Sequence, residues 1–167
     1  LENRKNGLER FYSAFLPEFP ENHGNTLTGG VGCIVMNCNP FTKGHLALIT
    51  YAARACDLLH IFVVEENRSQ FPFADRLRLV REGTDHLANV IVHPSGPYMI
   101  SNATFPTYFL KEGEDAAKIQ SELDITLFAS RIAPLLHIKK RFAGEEPFDP
   151  VTRNYNEAMI RILPRYG

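Results

Sequence analysis

The chain has no excess of charge of either sign: over 167 residues, 18 Lys and Arg stand against 19 Asp and Glu, a formal net charge of −1. A protein that grips nucleic acid through its phosphates needs a basic field, so this balance predicts no nucleic-acid partner and leaves any phosphate site to be built locally. No apolar run approaches the roughly 20 residues of a membrane span, so no membrane partner is expected. Cysteine is scarce, limited to Cys33, Cys38 and Cys56. With no Cys-x-x-Cys pair and no secretory leader, the pattern points to a reducing, cytoplasmic setting. Neither the Walker Lys-Ser/Thr nor Gly-x-Gly-x-x-Gly occurs, which excludes a P-loop and a dinucleotide fingerprint. No Gly-x-Ser-x-Gly elbow supports hydrolase chemistry. His60, His86, His93 and His137 lack metal-ligand spacing, and no metal ligand is assigned. Internal repeats and low-complexity segments are absent too.

What is present suits one buried core, with 44% hydrophobic and 22% charged residues. From Val31 onward, short apolar runs alternate with amphipathic segments. Residues 31–36, 58–64, 90–93 and 140–143 read as strands, and the near-continuous Leu58-Leu59-His60-Ile61-Phe62-Val63-Val64 suits a buried parallel strand. Between them, Leu46, Ile49, Ala53 and Cys56 mark a first helical face, and Phe73, Leu77 and Val80 a second. A third helix is expected over 115–132, with Ile119, Leu123, Leu127 and Phe128 inward and Pro134 beyond its end. A last helix runs from about 150 to 163. His60 and His137 read as strand-associated packing, while His93 opens a loop. The pattern is a βαβ series, hence an α/β, doubly wound parallel sheet.

In such a sheet, ligands sit beyond the carboxyl ends of the strands. The loop there after the first strand is Asn37-Cys38-Asn39-Pro40-Phe41-Thr42-Lys43-Gly44-His45. An anion at this turn meets the free N–H groups of the following helix and the positive end of its dipole. Pro40 fixes φ, Gly44 lets the backbone approach a phosphate oxygen, Thr42 offers a hydroxyl, and His45 an imidazole donor to developing charge. An ordinary turn with a solvated His fits these residues equally. Asn37 either orients a ligand or caps the turn, and Asn39 caps. Cys38 has no neighbouring base to activate it.

Several strings then extend the pattern. They are Cys33-Ile34-Val35-Met36 through His45, Leu59-His60-Ile61-Phe62-Val63-Val64-Glu65, and Gln70-Phe71-Pro72-Phe73-Ala74-Asp75-Arg76. After these come Val92-His93-Pro94-Ser95-Gly96, Ile100-Ser101-Asn102-Ala103-Thr104-Phe105-Pro106, and Gly144-Glu145-Glu146-Pro147 with Pro150-Val151-Thr152-Arg153-Asn154-Tyr155-Asn156. In this order they resemble the citrate lyase ligase family, within the nucleotidyltransferase superfamily that carries a Thr/His-x-Gly-His signature. The resemblance covers roughly residues 30 to 163.

That resemblance implies a Rossmann-like nucleotidyltransferase domain using ATP and Mg²⁺. It implies His45, Thr42 and Asn37 at the reacting phosphate, with Pro40, Phe41, Thr42, Gly44, His45, Arg68, Gly144, Thr152 and Arg153 binding the nucleotide. Arg68 stands where sister adenylyltransferases often keep a phosphate-neutralising Lys, and Arg76 orients loops or pairs with an acid. Glu65, Glu66 and Asp75 are carboxylates of the kind Mg²⁺ favours, without forming a dedicated site. Ser101, Asn102 and Thr104 are either the acceptor side of the site or a helix cap. The activity implied is transfer of acetate to the thiol prosthetic group of the citrate lyase acyl-carrier subunit through acetyl adenylate, with AMP and pyrophosphate released.

The family carries an acetyltransferase-like domain ahead of this one, so residues 1–29 are expected to be a connecting helix and linker, and 30–167 the nucleotidyltransferase-like domain. A later Ile-Ser-x-Ser-x-x-Arg-like triphosphate motif of the family does not occur in these residues. The expectation is therefore a domain truncated at its C-terminus, whose activity alone is in doubt. Two other functions fit the turn: an adenylyltransferase for a phosphorylated small molecule such as phosphopantetheine, and a nucleotide-binding module without turnover.

Overall fold

The computed structural model describes residues 6–13, 29–65, 69–99, 116–145 and 150–166. Helix α1 (Gly7–Ser13) precedes strand β1 (Val31–Met36), α2 (Lys43–Arg54), β2 (Leu58–Val63), α3 (Phe73–Thr84) and β3 (Val90–Pro94). A 3-10 turn at Gly96–Tyr98 follows, and then α4 (Ala116–Leu127), which runs on through a π turn (Phe128–Ile132) into the short helix α5 (Ala133–Leu135). Strand β4 (Ile138–Phe142) and α6 (Pro150–Ile162) complete the series.

The four strands form one parallel sheet in the order β3-β2-β1-β4. Growth of the sheet runs outward from β1 to β3, then jumps back across to β4. The order therefore reverses between β1 and β4, and a crevice opens where their carboxyl ends diverge. This is the expected doubly wound α/β fold.

Alternation along the strands sets the two layers. Ile34 and Met36 of β1, with Leu59, Ile61 and Val63 of β2, pack under Ile49, Ala52 and Ala53 of α2 and Val80 of α3. On the opposite face, Val31, Cys33, Leu58 and Phe62 pack with Phe128, Ile132 and Leu136. Tyr12 of α1 is fully buried in that second layer, so the short helix read as part of a connector contributes a core side chain. A third cluster joins Ile125 of α4 to Ala158, Met159 and Ile162 of α6.

Several local expectations are corrected. Helix α2 begins at Lys43 with Thr42 as its N-cap, so the signature residues form the first turn itself. On α4, Ile119 and Leu123 are exposed, whereas Gln120, Ser121, Asp124 and Ile125 are buried. The inward face there is partly polar, so counting apolar residues misplaces Ile119 and Leu123, while Phe128 is buried as expected. Pro134 does not end the helical run: it sits in the first turn of α5, where its missing N–H costs nothing. His137 is exposed, with φ 55°, in the turn entering β4 and packs in no strand. Strand β4 starts at Ile138, earlier than residue 140, and its pairing with β1 shifts register between Val31 and Gly32. Lys139 is the extra residue. The shift sets Arg141 opposite Cys33.

Candidate functional site

The loop after β1 is held by its own side chains. Thr42 caps α2 by accepting from the backbone N–H of His45, while the Thr42 N–H donates to His45 Nδ1 at 3.0 Å, closing a capping box. Thr42 Oγ1 also lies 2.8 Å from His45 Nδ1. An Nδ1 that accepts a backbone N–H bears no proton, so the neutral ring carries its hydrogen on Nε2. The geometry thus selects the tautomer in which Nε2 is the donor. The ring is braced by stacking on Phe41, with centroids 6.0 Å apart and planes 17° off parallel. Phe41 in turn presses on α3, where a Cβ at Gly83 would lie only 2.4 Å from its ring.

Arg76 fixes the start of the same loop. Its side chain is fully buried, although it begins in the first turn of α3. Nη1 donates to the Asn37 carbonyl at 2.6 Å, to Asn37 Oδ1 at 2.8 Å and to the Val64 carbonyl at 3.0 Å, and Nε donates to the Phe71 carbonyl at 3.1 Å. One guanidinium therefore ties together the loops after β1 and β2. Because Oδ1 of Asn37 faces this cation, the amide orientation is set, and Nδ2 donates to Ser69 at 3.2 Å. Asn39 Oδ1 accepts from the Phe71 N–H at 3.0 Å, a tie between the two loops rather than the cap on its own turn that was expected.

These residues wall an open cleft of about 790 Å³ at the carboxyl ends of β1 and β4. Asn37, Thr42, Gly44 and His45 line one side, and Gly144 and Thr152 the other. A Cβ built on Gly44 would meet nothing nearer than Thr42 Oγ1 at 3.7 Å, so the backbone there faces open space. Pro40, Phe41 and Arg153 do not line the cleft: Phe41 supports the loop from behind, and Pro40 and Arg153 are exposed. Arg68, Glu66, Ser101, Asn102 and Thr104 lie outside the described residues.

One group at this site was not expected from the sequence. Arg141 of β4 lines the cleft beside Tyr155 and Met159 of α6. Its Nη2 donates to the Tyr155 hydroxyl at 2.7 Å, and that hydroxyl donates a very short hydrogen bond to Asp124 of α4. The guanidinium lies over the Phe128 ring at 4.4 Å and the Tyr155 ring at 5.5 Å. Burial alone would lower its pKa, but the Tyr155, Cys33 and Asp124 groups outweigh that and raise it, so the cation is permanent. The same burial pushes the Tyr155 hydroxyl up. Arg141 Nη1 is buried and meets no hydrogen-bond partner among the described residues.

Burial disfavours the thiolate at all three cysteines. Burial pushes the thiols of Cys33 and Cys38 up to about 12, and that of Cys56 in the same direction. His93 does not reach the cleft: it is buried with its Nε2 2.8 Å from Nδ1 of His60. No helix among the described residues is long and apolar enough to cross a membrane.

A family model described as the citrate lyase ligase C-terminal domain matches residues 31–167. The citrate (pro-3S)-lyase ligase of Klebsiella pneumoniae is 48% identical over 137 residues, which is 82% of this chain and 40% of that protein. That of Escherichia coli K12 is 45% identical over 159 residues, 95% of this chain and 44% of that protein. A phosphopantetheine adenylyltransferase of Streptococcus gordonii is 30% identical over 108 residues, 62% of this chain and 66% of that protein. The chain thus spans less than half the length of the two ligases.

Proposed function

We propose a function from one premise: the chain belongs to the citrate lyase ligase family. Residues 30–167 handle the nucleotide within a longer protein that acetylates the thiol prosthetic group of the citrate lyase acyl-carrier subunit and so activates citrate lyase. ATP lies in the cleft with its phosphates against the first turn of α2. There the Gly44 backbone N–H, the Thr42 hydroxyl and His45 Nε2–H meet the charge that grows as pyrophosphate leaves. The observation that supports this reading most is the Thr42–His45 capping box, because it presets a ring donor at a helix N-terminus.

The chemistry needs alignment more than covalent help. A carboxylate oxygen of acetate forms a bond to the α-phosphorus while the bridging bond to the β-phosphate breaks, its electron pair leaving with pyrophosphate. The carrier thiolate then attacks the acyl carbon, and AMP departs with the carboxyl oxygen. Asn37, clamped by Arg76, positions the reacting phosphate through its Nδ2, and Gly144 and Thr152 hold the far side of the nucleotide. Arg68 is assigned to the outer phosphates. Mg²⁺ would enter with the triphosphate and supply charge neutralisation.

The test uses the full-length protein with ATP, Mg²⁺, labelled acetate and deacetylated citrate lyase, and follows label onto the carrier subunit together with pyrophosphate. Label on the carrier is expected. Pyrophosphate formed only with 4′-phosphopantetheine would move the function to the adenylyltransferase class, a reading the Streptococcus gordonii match favours. ATP binding without pyrophosphate from either acceptor would reduce the domain to a binding module.

A further inference from the structure

The buried guanidinium beside the cleft has no part in the nucleotide chemistry described above. A cation withdrawn from water is costly unless its donors are satisfied. Arg141 has only part of its fork engaged: Nη2 is held by the Tyr155 hydroxyl, which is itself tied to Asp124, while buried Nη1 meets no partner among the described residues. The side chain is also clamped between the Phe128 and Tyr155 rings. Its neighbours on this side of the cleft include Val35 and Met159, both apolar, so the surroundings suit a short hydrocarbon next to one charged group.

We propose that Arg141 is the binding residue for the carboxylate of the acid substrate, a short monocarboxylate whose alkyl end lies against Val35 and Met159. This rests on the adenylylation reading and deepens it by placing the acceptor. With Nη2 turned to Tyr155, the open donor that Arg141 offers the carboxylate is Nη1, at one oxygen. The second oxygen keeps its lone pairs for the α-phosphorus. A fork engaging both oxygens would hold the acid more tightly but leave neither aligned for attack. Tyr155 and Asp124 act on the substrate through Arg141 and are positioning residues.

The test measures steady-state pyrophosphate release by the full-length protein, varying acetate and ATP separately, in wild type, Arg141→Gln, Arg141→Lys and Tyr155→Phe. Losing a charge-assisted bond should raise the KM for acetate at least about 10-fold in Arg141→Gln, with the KM for ATP changed less than about twofold. Tyr155→Phe, which keeps the cation but frees its second nitrogen, should lower kcat while the KM for acetate stays or falls, because the acid is then gripped through both oxygens. A merely structural role for the network would not produce that split. An Arg141→Gln enzyme that folds and saturates with acetate like wild type overturns the proposal. So does a parallel rise in the KM for ATP, which would assign the guanidinium to phosphate. If the Arg141 variants fail to fold, the Tyr155→Phe split decides alone, and its absence overturns the proposal. A wild-type protein with no acetate-dependent pyrophosphate would instead remove the adenylylation reading itself.

Discussion

Acidification should weaken this fold through one pair of side chains, His60 and His93. They lie on adjacent strands, at 0% and 2% exposure, with Nδ1 of one 2.8 Å from Nε2 of the other and Phe62 stacked against both. Burial lowers the His60 pKa to about 4. Burial, with the nearby His60 and Arg81 groups, lowers that of His93 to about 3. In the unfolded chain both titrate near 6.5, so above pH 7 the shift has no effect on stability. Below 6.5 the unfolded state takes up protons that the folded state refuses, and stability falls until the folded pKa values are reached. Between pH 7 and pH 5 this amounts to about 2 kcal/mol per histidine and up to about 4 kcal/mol for the pair, set against a typical total of 5–15. With a urea dependence of about 2 kcal/mol per molar, the unfolding midpoint should drop by about 2 M. Urea titrations followed by circular dichroism at pH 7, 6 and 5 measure it. The control is a His60→Phe, His93→Leu double variant, in which most of the drop should vanish. An equal drop in both proteins would refute the assignment of the acid sensitivity to this pair.

Four further outcomes are expected. His45→Ala should lower pyrophosphate formation by roughly 100-fold or more, whereas loss of the cap alone, about 1 kcal/mol, would leave the protein folded; near-normal turnover in single-turnover assays would refute the charge-stabilising role. Arg76→Lys should destabilise by about 3 kcal/mol or more, read as a lowered urea midpoint, because an ammonium cannot serve four acceptors on two loops. Gly83→Ala would stabilise an ordinary helix by up to about 1 kcal/mol, but here the new Cβ meets Phe41 at 2.4 Å. It should instead lower both thermal stability and turnover by displacing the ring that braces His45. Cys38 and Cys33 should react with a maleimide at pH 7.5 only after denaturant is added, and rapid labelling of the native protein would contradict their burial.

The strands were legible because a parallel sheet buried on both faces needs unbroken apolar runs, and β1 and β2 supply them. The signature loop was legible for the same kind of reason: Thr42, Gly44 and His45 are types whose local hydrogen bonding and steric needs define a helix start. The capping box that joins Thr42 to His45 was missed, though a hydroxyl followed three residues later by an imidazole acceptor is its signal. Arg141 was hidden differently. Ile138-Lys139-Lys140-Arg141-Phe142 reads as a solvated basic edge, and only the extra residue at Lys139 turns the arginine onto the buried face. The clue was indirect: a strand beside β1 that carries a charge inward must find a partner, and Asp124 sat on a helix read from its apolar residues alone. Counting apolar residues alone likewise misplaced Ile119 and Leu123 of α4.

Arg76 has a consequence for motion. Its four hydrogen bonds hold the loops after β1 and β2 to the first turn of α3. Neither loop can swing out alone without leaving buried donors unmet, so opening is cooperative and the two loops behave as one hinged flap. Amide exchange at Asn39, Phe71 and Val64 should then share a single opening free energy, and nucleotide bound against one loop should slow exchange in the other without touching it.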